Sequence, residues 1–375
     1  MELAIVHPFL YTKGGAERVV LKVAQHFNAK IYCSRYIPNE TYSKFKDIEI
    51  EVIKARFQNL VPEFLPMRVR DAIIAGYRFY TKKLNDYDIV NAQGTPSEWI
   101  RNLNNPVIWY SHSPNREAFD LYEWRMNQRN VVGKVLYWST IQPYKILEHR
   151  VVPKIEYIFA NSSNTKERLK KYLSVDSEIL NPGIDYDEFY CSDYQKYFFY
   201  PSRITPEKRF EFAIKAFKVF KKSNPEWKLI IAGALLKERK EHVQYYENIK
   251  NLLGNDGEIL TNIGFDKMRE LYSNCYSVLY TPINEDFGII PLEALASFKP
   301  CIAINEGGPT EIIINGENGF LVNSEEEMVE KMSTLAHDKN LAEQMGKNGR
   351  SHVEKNFSWN RFFKRFEDVC KNLSR

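Results

Sequence analysis

The sequence predicts an α/β protein built from two doubly wound, Rossmann-like domains, and three observations carry that reading. Short apolar runs bounded by turn residues alternate with stretches whose apolar residues recur at i, i+3, i+4 and i+7, the pattern of parallel strands joined by helices. The alternation restarts near residue 197, after the polar stretch 191–196. At 375 residues, 44% of them hydrophobic, the chain is too long for one ordinary domain and suits two of comparable size.

Taken in order, residues 3–6 (Leu-Ala-Ile-Val) form a short apolar run that stops at His7-Pro8, as a buried strand does. After Gly14-Gly15, residues Ala16, Val19, Val20, Val23, Ala24 and Phe27 make one face of a helix. Strands are predicted over 30–32, 49–53, 89–91, 107–111 and 157–160, with helical patterns between several of them. In the second half, 197–200 reads as a strand, and the helix after it carries Phe210, Ala213, Ile214, Phe217 and Phe220 on one side. Strands over 228–232 and 259–263, a helix over 266–274, and strands over 277–280 and 301–304 follow. The last amphipathic segment runs through Trp359, Phe362, Phe363, Phe366, Val369 and Cys370. The expected division is an N-terminal domain over 1–190, a C-terminal domain over 191–357, and a helix over 358–375 that caps either domain, the N-terminal one by preference. Ligands of such folds bind where the carboxyl ends of the strands open, here in a cleft between the domains.

Composition narrows the function. A net charge of +4 with dispersed Lys and Arg does not suit a nucleic-acid-binding protein. The five cysteines (Cys33, Cys191, Cys275, Cys301, Cys370) include no CxxC pair, so neither a disulfide framework nor a zinc site is indicated, and a reduced, cytoplasmic setting follows. Strand one begins without a signal peptide, and no apolar run reaches the roughly 18 residues needed to span a bilayer. The expectation is a soluble protein or one peripheral on the cytoplasmic face of a membrane.

The most informative segment is 281–297, Thr-Pro-Ile-Asn-Glu-Asp-Phe-Gly-Ile-Ile-Pro-Leu-Glu-Ala-Leu-Ala-Ser. A strand ends near Thr281, and Pro291 suits the first turn of a helix. The amides of Phe287, Gly288, Ile289 and Ile290 then lie at a helix N-terminus, where free N–H groups and the helix dipole bind phosphate. Gly288 lets the backbone approach a ligand closely. Glu285 before the helix and Glu293 within it suit hydrogen bonds from sugar and ribose hydroxyls, although the same spacing also fits an ordinary helix start.

Glu285-x7-Glu293 with Phe287-Gly288 resembles the signature of the family 4 retaining glycosyltransferases of the GT-B fold, with Asp286 where glycine is commonest. The resemblance implies that Glu285 contacts the transferred sugar, that Glu293 holds the ribose hydroxyls, and that the intervening amides contact sugar and phosphate. Arg203 and Lys208, in Ser-Arg-Ile-Thr-Pro-Glu-Lys at 202–208, look like the family's Arg-x4-Lys element and would neutralise the departing diphosphate. Asn161-Ser162, 181–185, Gly307-Gly308 and 315–320 resemble further family segments.

In the N-terminal half, the loop 7–18 with Gly14-Gly15 is not the dinucleotide fingerprint, since no GxGxxG follows the strand. In the family it lies beside the donor phosphates and the acceptor. His112, in Tyr-Ser-His-Ser-Pro at the end of a strand, resembles the family histidine near the reacting sugar, a hydrogen-bonding rather than nucleophilic group. The stretch 54–83 mixes apolar and basic residues (Arg56, Phe57, Leu60, Phe64, Leu65, Met67, Arg68, Arg70, Phe79, Lys82, Lys83), which suits either a packed helix or a membrane-facing surface.

The resemblance therefore implies a metal-independent retaining transferase with no cofactor. Asp185-Tyr186-Asp187 sits in a turn rather than in a metal-binding context. The look is nearest to mannosyltransferases that use GDP-mannose, with a UDP-sugar as the other donor and a glycan or lipid-linked saccharide as acceptor. The rival readings are a GT-B nucleotide-sugar 2-epimerase and a non-catalytic sugar-nucleotide-binding protein.

Overall fold

The computed structural model describes residues 1–54 and 67–374. Arg56, Phe57, Leu60, Phe64, Leu65 and the side chains of Met67 and Arg68 thus lie outside the described residues. The chain divides into two compact units, Met1–Pro182 with Phe362–Arg375, and Gly183–Arg361.

The first unit holds strands β1 (Leu3–Leu10), β2 (Lys30–Tyr36), β3 (Ile50–Val52), β4 (Ile89–Gln93), β5 (Val107–Ser111), β6 (Tyr157–Ala160) and β7 (Glu178–Ile179). They pair in the order β3-β2-β1-β4-β5-β6-β7, and the pairings are parallel. Helices α1 (Gly15–Phe27), α2 (Met67–Thr81), α3 (Tyr122–Asn127), α4 (Val131–Val151) and α5 (Ser163–Leu173) join them. Residues 89–93 and 107–111 are buried throughout, as expected of parallel strands covered on both faces. Helix α1 buries Val19, Val20, Leu21, Val23 and Ala24 and ends on Asn28 in the left-handed region, φ 51°. In α5, Ser162 caps the helix by accepting from the Thr165 amide at 3.0 Å.

The expectation that β1 stops at His7-Pro8 is overturned, because the strand runs on to Leu10. The register explains it. Pairing with β4 ends at Val6, while pairing with β2 continues to Leu10. Beyond Val6 the strand is locally an edge, where a proline's missing N–H breaks no ladder.

The second unit holds β8 (Tyr197–Pro201), β9 (Lys228–Gly233), β10 (Gly257–Thr261), β11 (Ser277–Tyr280), β12 (Cys301–Ile304) and β13 (Gly319–Val322), parallel and in the order β10-β9-β8-β11-β12-β13. Its helices are α6 (Phe210–Lys221), α7 (Lys240–Leu253), α8 (Phe265–Asn274), α9 (Ile289–Ala296), α10 (Pro309–Ile312), α11 (Glu325–His337) and α12 (Lys339–Asn356). The core is aromatic: Phe198 stacks on Trp227 at 5.1 Å, and Phe199 meets the edge of Tyr272 at 5.1 Å. Both sheets are doubly wound, as the sequence predicts.

Helix α13 (Trp359–Leu373) lays its apolar face on the first unit. Phe363 stacks on His26 at 3.9 Å, Phe366 on Phe159 at 5.8 Å, and Phe362 packs against Tyr110 at 5.4 Å. Arg365 grips the Glu178 carboxylate of β7 with two bonds of 2.6 Å.

Candidate active site

In the second unit, β8 and β11 are neighbours at the point where strand order reverses, and β12 follows them. Loops that leave the carboxyl ends of strands there form the favoured ligand crevice of a doubly wound sheet. Those three loops carry residues 202–209, 281–288 and 305–308, and they are bound to one another.

The first loop places Lys208 at the end of a short 3-10 turn, Pro206–Lys208. Its backbone carbonyl accepts from the buried Tyr200 hydroxyl, which also takes the Thr281 amide at 3.0 Å. The lysine side chain is nearly buried, 7% exposed, and Nζ meets Glu285 Oε2 at 2.5 Å. Sequence reasoning nominated these two residues separately; the fold makes them an ion pair. Arg203 stands exposed in the same loop.

The second loop is held by Arg209, which the sequence reading passed over. Its guanidinium donates to the Thr281 and Pro282 carbonyls at 2.8 and 3.0 Å and to both Glu306 carboxylate oxygens at 3.2 and 3.0 Å. Glu306 also accepts the Asn284 amide at 3.2 Å. A fork of planar donors is what such a three-loop clamp requires. The signal in the sequence was the Lys-Arg pair at 208–209 with an acid before Gly307-Gly308.

Gly307-Gly308 seals the third loop to the second. The Gly308 amide donates to the Glu285 carbonyl at 2.8 Å, and a methyl group on Gly308 would lie 2.2 Å from the Phe287 carbonyl oxygen. Glycine is required at 308 for that approach. Gly288 caps α9 with φ 95°, a left-handed conformation that glycine adopts without strain. The helix starts at Ile289, so the 287–290 amides sit at its amino end, with Phe287 buried and Asp286, Ile289 and Ile290 half-buried. Glu293 is 9% exposed, and Oε2 accepts from the buried Tyr272 hydroxyl at 2.9 Å.

In the first unit, Gly14 caps α1 and Gly15 opens it. Glu17 folds back over this end: a methyl group on Gly14 would lie 2.4 Å from its Oε2, and Thr12 donates to Oε1 at 2.6 Å. The carboxylate thus occupies the positive end of α1. At the ends of β1, β4 and β5, His7 Nδ1 meets the Gln93 carbonyl at 2.8 Å, and His112 Nε2 meets Gln93 Oε1 at 3.2 Å. His7 and Gln93 are buried, His112 half-buried. Burial, and next the nearby His7, push His112 down to about 3, so its imidazole is neutral at physiological pH.

Among the described residues no group of three or more His, Cys, Asp or Glu side chains could hold a metal ion, and no helix is long and apolar enough to cross a membrane.

Comparison with known proteins agrees with this fold. Residues 13–188 match the family described as Glycosyltransferase Family 4, and residues 191–352 match Glycosyl transferases group 1. The two family matches, one on each doubly wound sheet, make this a glycosyltransferase of the GT-B fold, which moves a sugar from a nucleotide sugar to an acceptor. The chain is a member of the family 4 and group 1 glycosyltransferases. An alpha-1,3/1,6-mannosyltransferase of Dictyostelium discoideum is 26% identical over 425 residues, covering 100% of this chain and 98% of the relative. One from Rhizomucor pusillus is 26% identical, covering 100% and 92%. Among solved structures, Anabaena HepE in complex with UDP and glucose has a TM-score of 0.76 at 16% identity, with 100% of each chain covered. Sucrose-phosphate synthase of Thermosynechococcus elongatus has 0.78 at 16%, covering 100% and 99%.

Proposed function

We propose that this enzyme is a retaining, metal-independent hexosyltransferase that takes mannose from GDP-mannose and delivers it to a hydroxyl of a glycan or lipid-linked saccharide. The observation that carries the site is the joining of Lys208, Glu285 and the glycine-lined 287–290 amides in loops at one sheet edge. A cation and a helix amino end suit a diphosphate that gains charge as it leaves. Arg203 adds a second cation, and Glu285 and Glu293 supply acceptors for sugar and ribose hydroxyls. His112, being neutral, serves as a hydrogen-bonding partner of the reacting sugar. The acceptor hydroxyl attacks from the face the diphosphate leaves, which retains the anomeric configuration.

Mannose is favoured over glucose because full-length likeness runs to enzymes named as mannosyltransferases. The likeness to a structure holding UDP and glucose, at 16% identity, bears on fold alone. The test is nucleoside diphosphate release from a panel of GDP- and UDP-sugars, with and without candidate acceptors, in the presence of EDTA. Turnover with GDP-mannose alone, dependent on acceptor, supports the reading, and an anomeric coupling constant of an α-product establishes retention. Turnover with only a UDP-sugar refutes the donor; conversion of the nucleotide sugar without acceptor supports an epimerase instead.

The acceptor also bears on location, and a peripheral contact with the cytoplasmic face of a membrane belongs to the same reading. Helix α4 supports it. Val131, Val132, Val135, Leu136, Trp138 and Ile146 are each more than half exposed, from 54% to 78%. The only acid on that helix, Glu148, is buried, while Lys134, His149 and Arg150 are not. An apolar face flanked by cations and free of exposed acids suits an anionic bilayer surface.

A further inference from the structure

The hydrogen-bond chain behind His112 fixes more than its position. It starts at the Ile108 backbone carbonyl, which can only accept. The Asn91 side chain lies 3.1 Å from that oxygen, so its Nδ2 faces the carbonyl and its Oδ1 is turned the other way. That Oδ1 takes Gln93 Nε2 at 2.7 Å, which turns Gln93 Oε1 toward His112 Nε2 at 3.2 Å. An amide oxygen cannot donate, so the proton on the neutral imidazole must sit on Nε2. Each link leaves the next no choice, and the Asn91 and Gln93 side chains are fully buried, away from competing water.

We infer that Asn91 and Gln93 are positioning residues that lock His112 in the Nε2–H tautomer and so present its Nδ1 as a lone-pair acceptor for a sugar or acceptor hydroxyl. Nδ1 has no partner among the described residues, and His112 is half-buried rather than sealed. The group is therefore set to receive an O–H rather than to offer an N–H. The proposal rests on His112 belonging to the active site. Second-layer partners of this kind orient a functional histidine and change activity roughly 10- to 100-fold when removed from metal sites, and a comparable loss is expected here.

The tautomer is read directly from 15N-labelled histidine in the full chain, with the His112→Ala variant assigning its resonances among the seven histidines. Expected is a protonated Nε2 and an unprotonated Nδ1, with no titration down to pH 5. Gln93→Met removes the acceptor, and Asn91→Leu frees the Gln93 amide to rotate. Both variants should give a mixture of tautomers and lower kcat about 10-fold or more, with little change in donor KM. Gln93→Glu keeps an acceptor, should keep Nε2–H, and should raise the pH at which His112 titrates. An Nδ1–H tautomer in the wild type, or unchanged tautomer and kcat in Gln93→Met, overturns the inference. Full activity in His112→Ala would instead remove His112 from the site, whichever tautomer the spectra show.

Discussion

Lys208 and Glu285 offer a test that separates phosphate binding from charge pairing. Lys208→Ala deletes a cation that is 7% exposed and lies 2.5 Å from a carboxylate whose side chain is 18% exposed. A hydrogen bond between charged groups is worth about 1.5–3 kcal/mol, and the water still reaching Glu285 favours the lower part of that range. Destabilisation of about 2 kcal/mol, or roughly 4–8 °C in Tm for a unit of this size, is expected in thermal unfolding. The effect on chemistry should be larger, since losing one donor to a developing anion costs about 10²–10³ in kcat. The double variant Lys208→Met with Glu285→Gln separates the stability effect from the effect on chemistry. It removes both charges, so it should recover most of the lost stability while nucleoside diphosphate release stays slow. Folded Lys208→Ala protein releasing nucleotide at the wild-type rate would refute the assignment. Recovery of full activity in the double variant would refute both assignments and leave Lys208 and Glu285 a purely structural pair.

Three further outcomes can be checked independently. Gly308→Ala forces apart two loops that approach to 2.2 Å at the position of the added methyl group; a loss of about 1–3 kcal/mol and a several-fold higher donor KM are expected in unfolding and steady-state assays. Glu98 is fully buried, and burial, then the charge of Glu148, raise its carboxyl well above the usual range. A raised folded value means its contribution is intact below the unfolded carboxyl pKa and is lost as pH rises from there. Glu98→Gln should therefore gain on the wild type by up to about 1.4 kcal/mol per pH unit above pH 5, and parallel stability-versus-pH curves would contradict this. On α4, Trp138→Glu with Leu136→Glu should abolish flotation with anionic vesicles, and a wild-type protein that does not float would dispose of the membrane contact.

Much of the second unit was legible because its signals are local. The strands at 277–280 and 301–304 and the α9 start after Gly288 follow from short apolar runs, a proline and a glycine at fixed offsets. Strands β7 and β13 escaped notice for opposite reasons. Glu178–Ile179 is two residues long, and Gly319–Val322 begins with a glycine that reads as a turn, although it is needed because a methyl group there would sit 2.3 Å from the Cys301 carbonyl oxygen. The extension of β1 past Pro8 depends on which neighbour stops pairing first, a property of the sheet rather than of the run. For the candidate site, Arg203, Lys208, Glu285 and Glu293 could be nominated from the motifs they resemble. Arg209, Glu306, Asn91 and Gln93 could not, since each matters through a partner 17 to 97 residues away. Helix α4 hides for another reason: an exposed apolar face and a buried one read alike until burial is known.

The last helix of the chain has a consequence for the protein's manufacture. Phe362, Phe363 and Phe366 close the core of a unit whose other residues end at Pro182. A ribosome delivers the amino end first, and domains ordinarily fold as they emerge. Here the first half waits, with the surface around His26, Phe27 and Phe159 uncovered, while some 180 further residues are translated. The half made first is thus the half finished last, and a chain cut short before Phe362 would leave the ribosome with the surface around His26, Phe27 and Phe159 still bare.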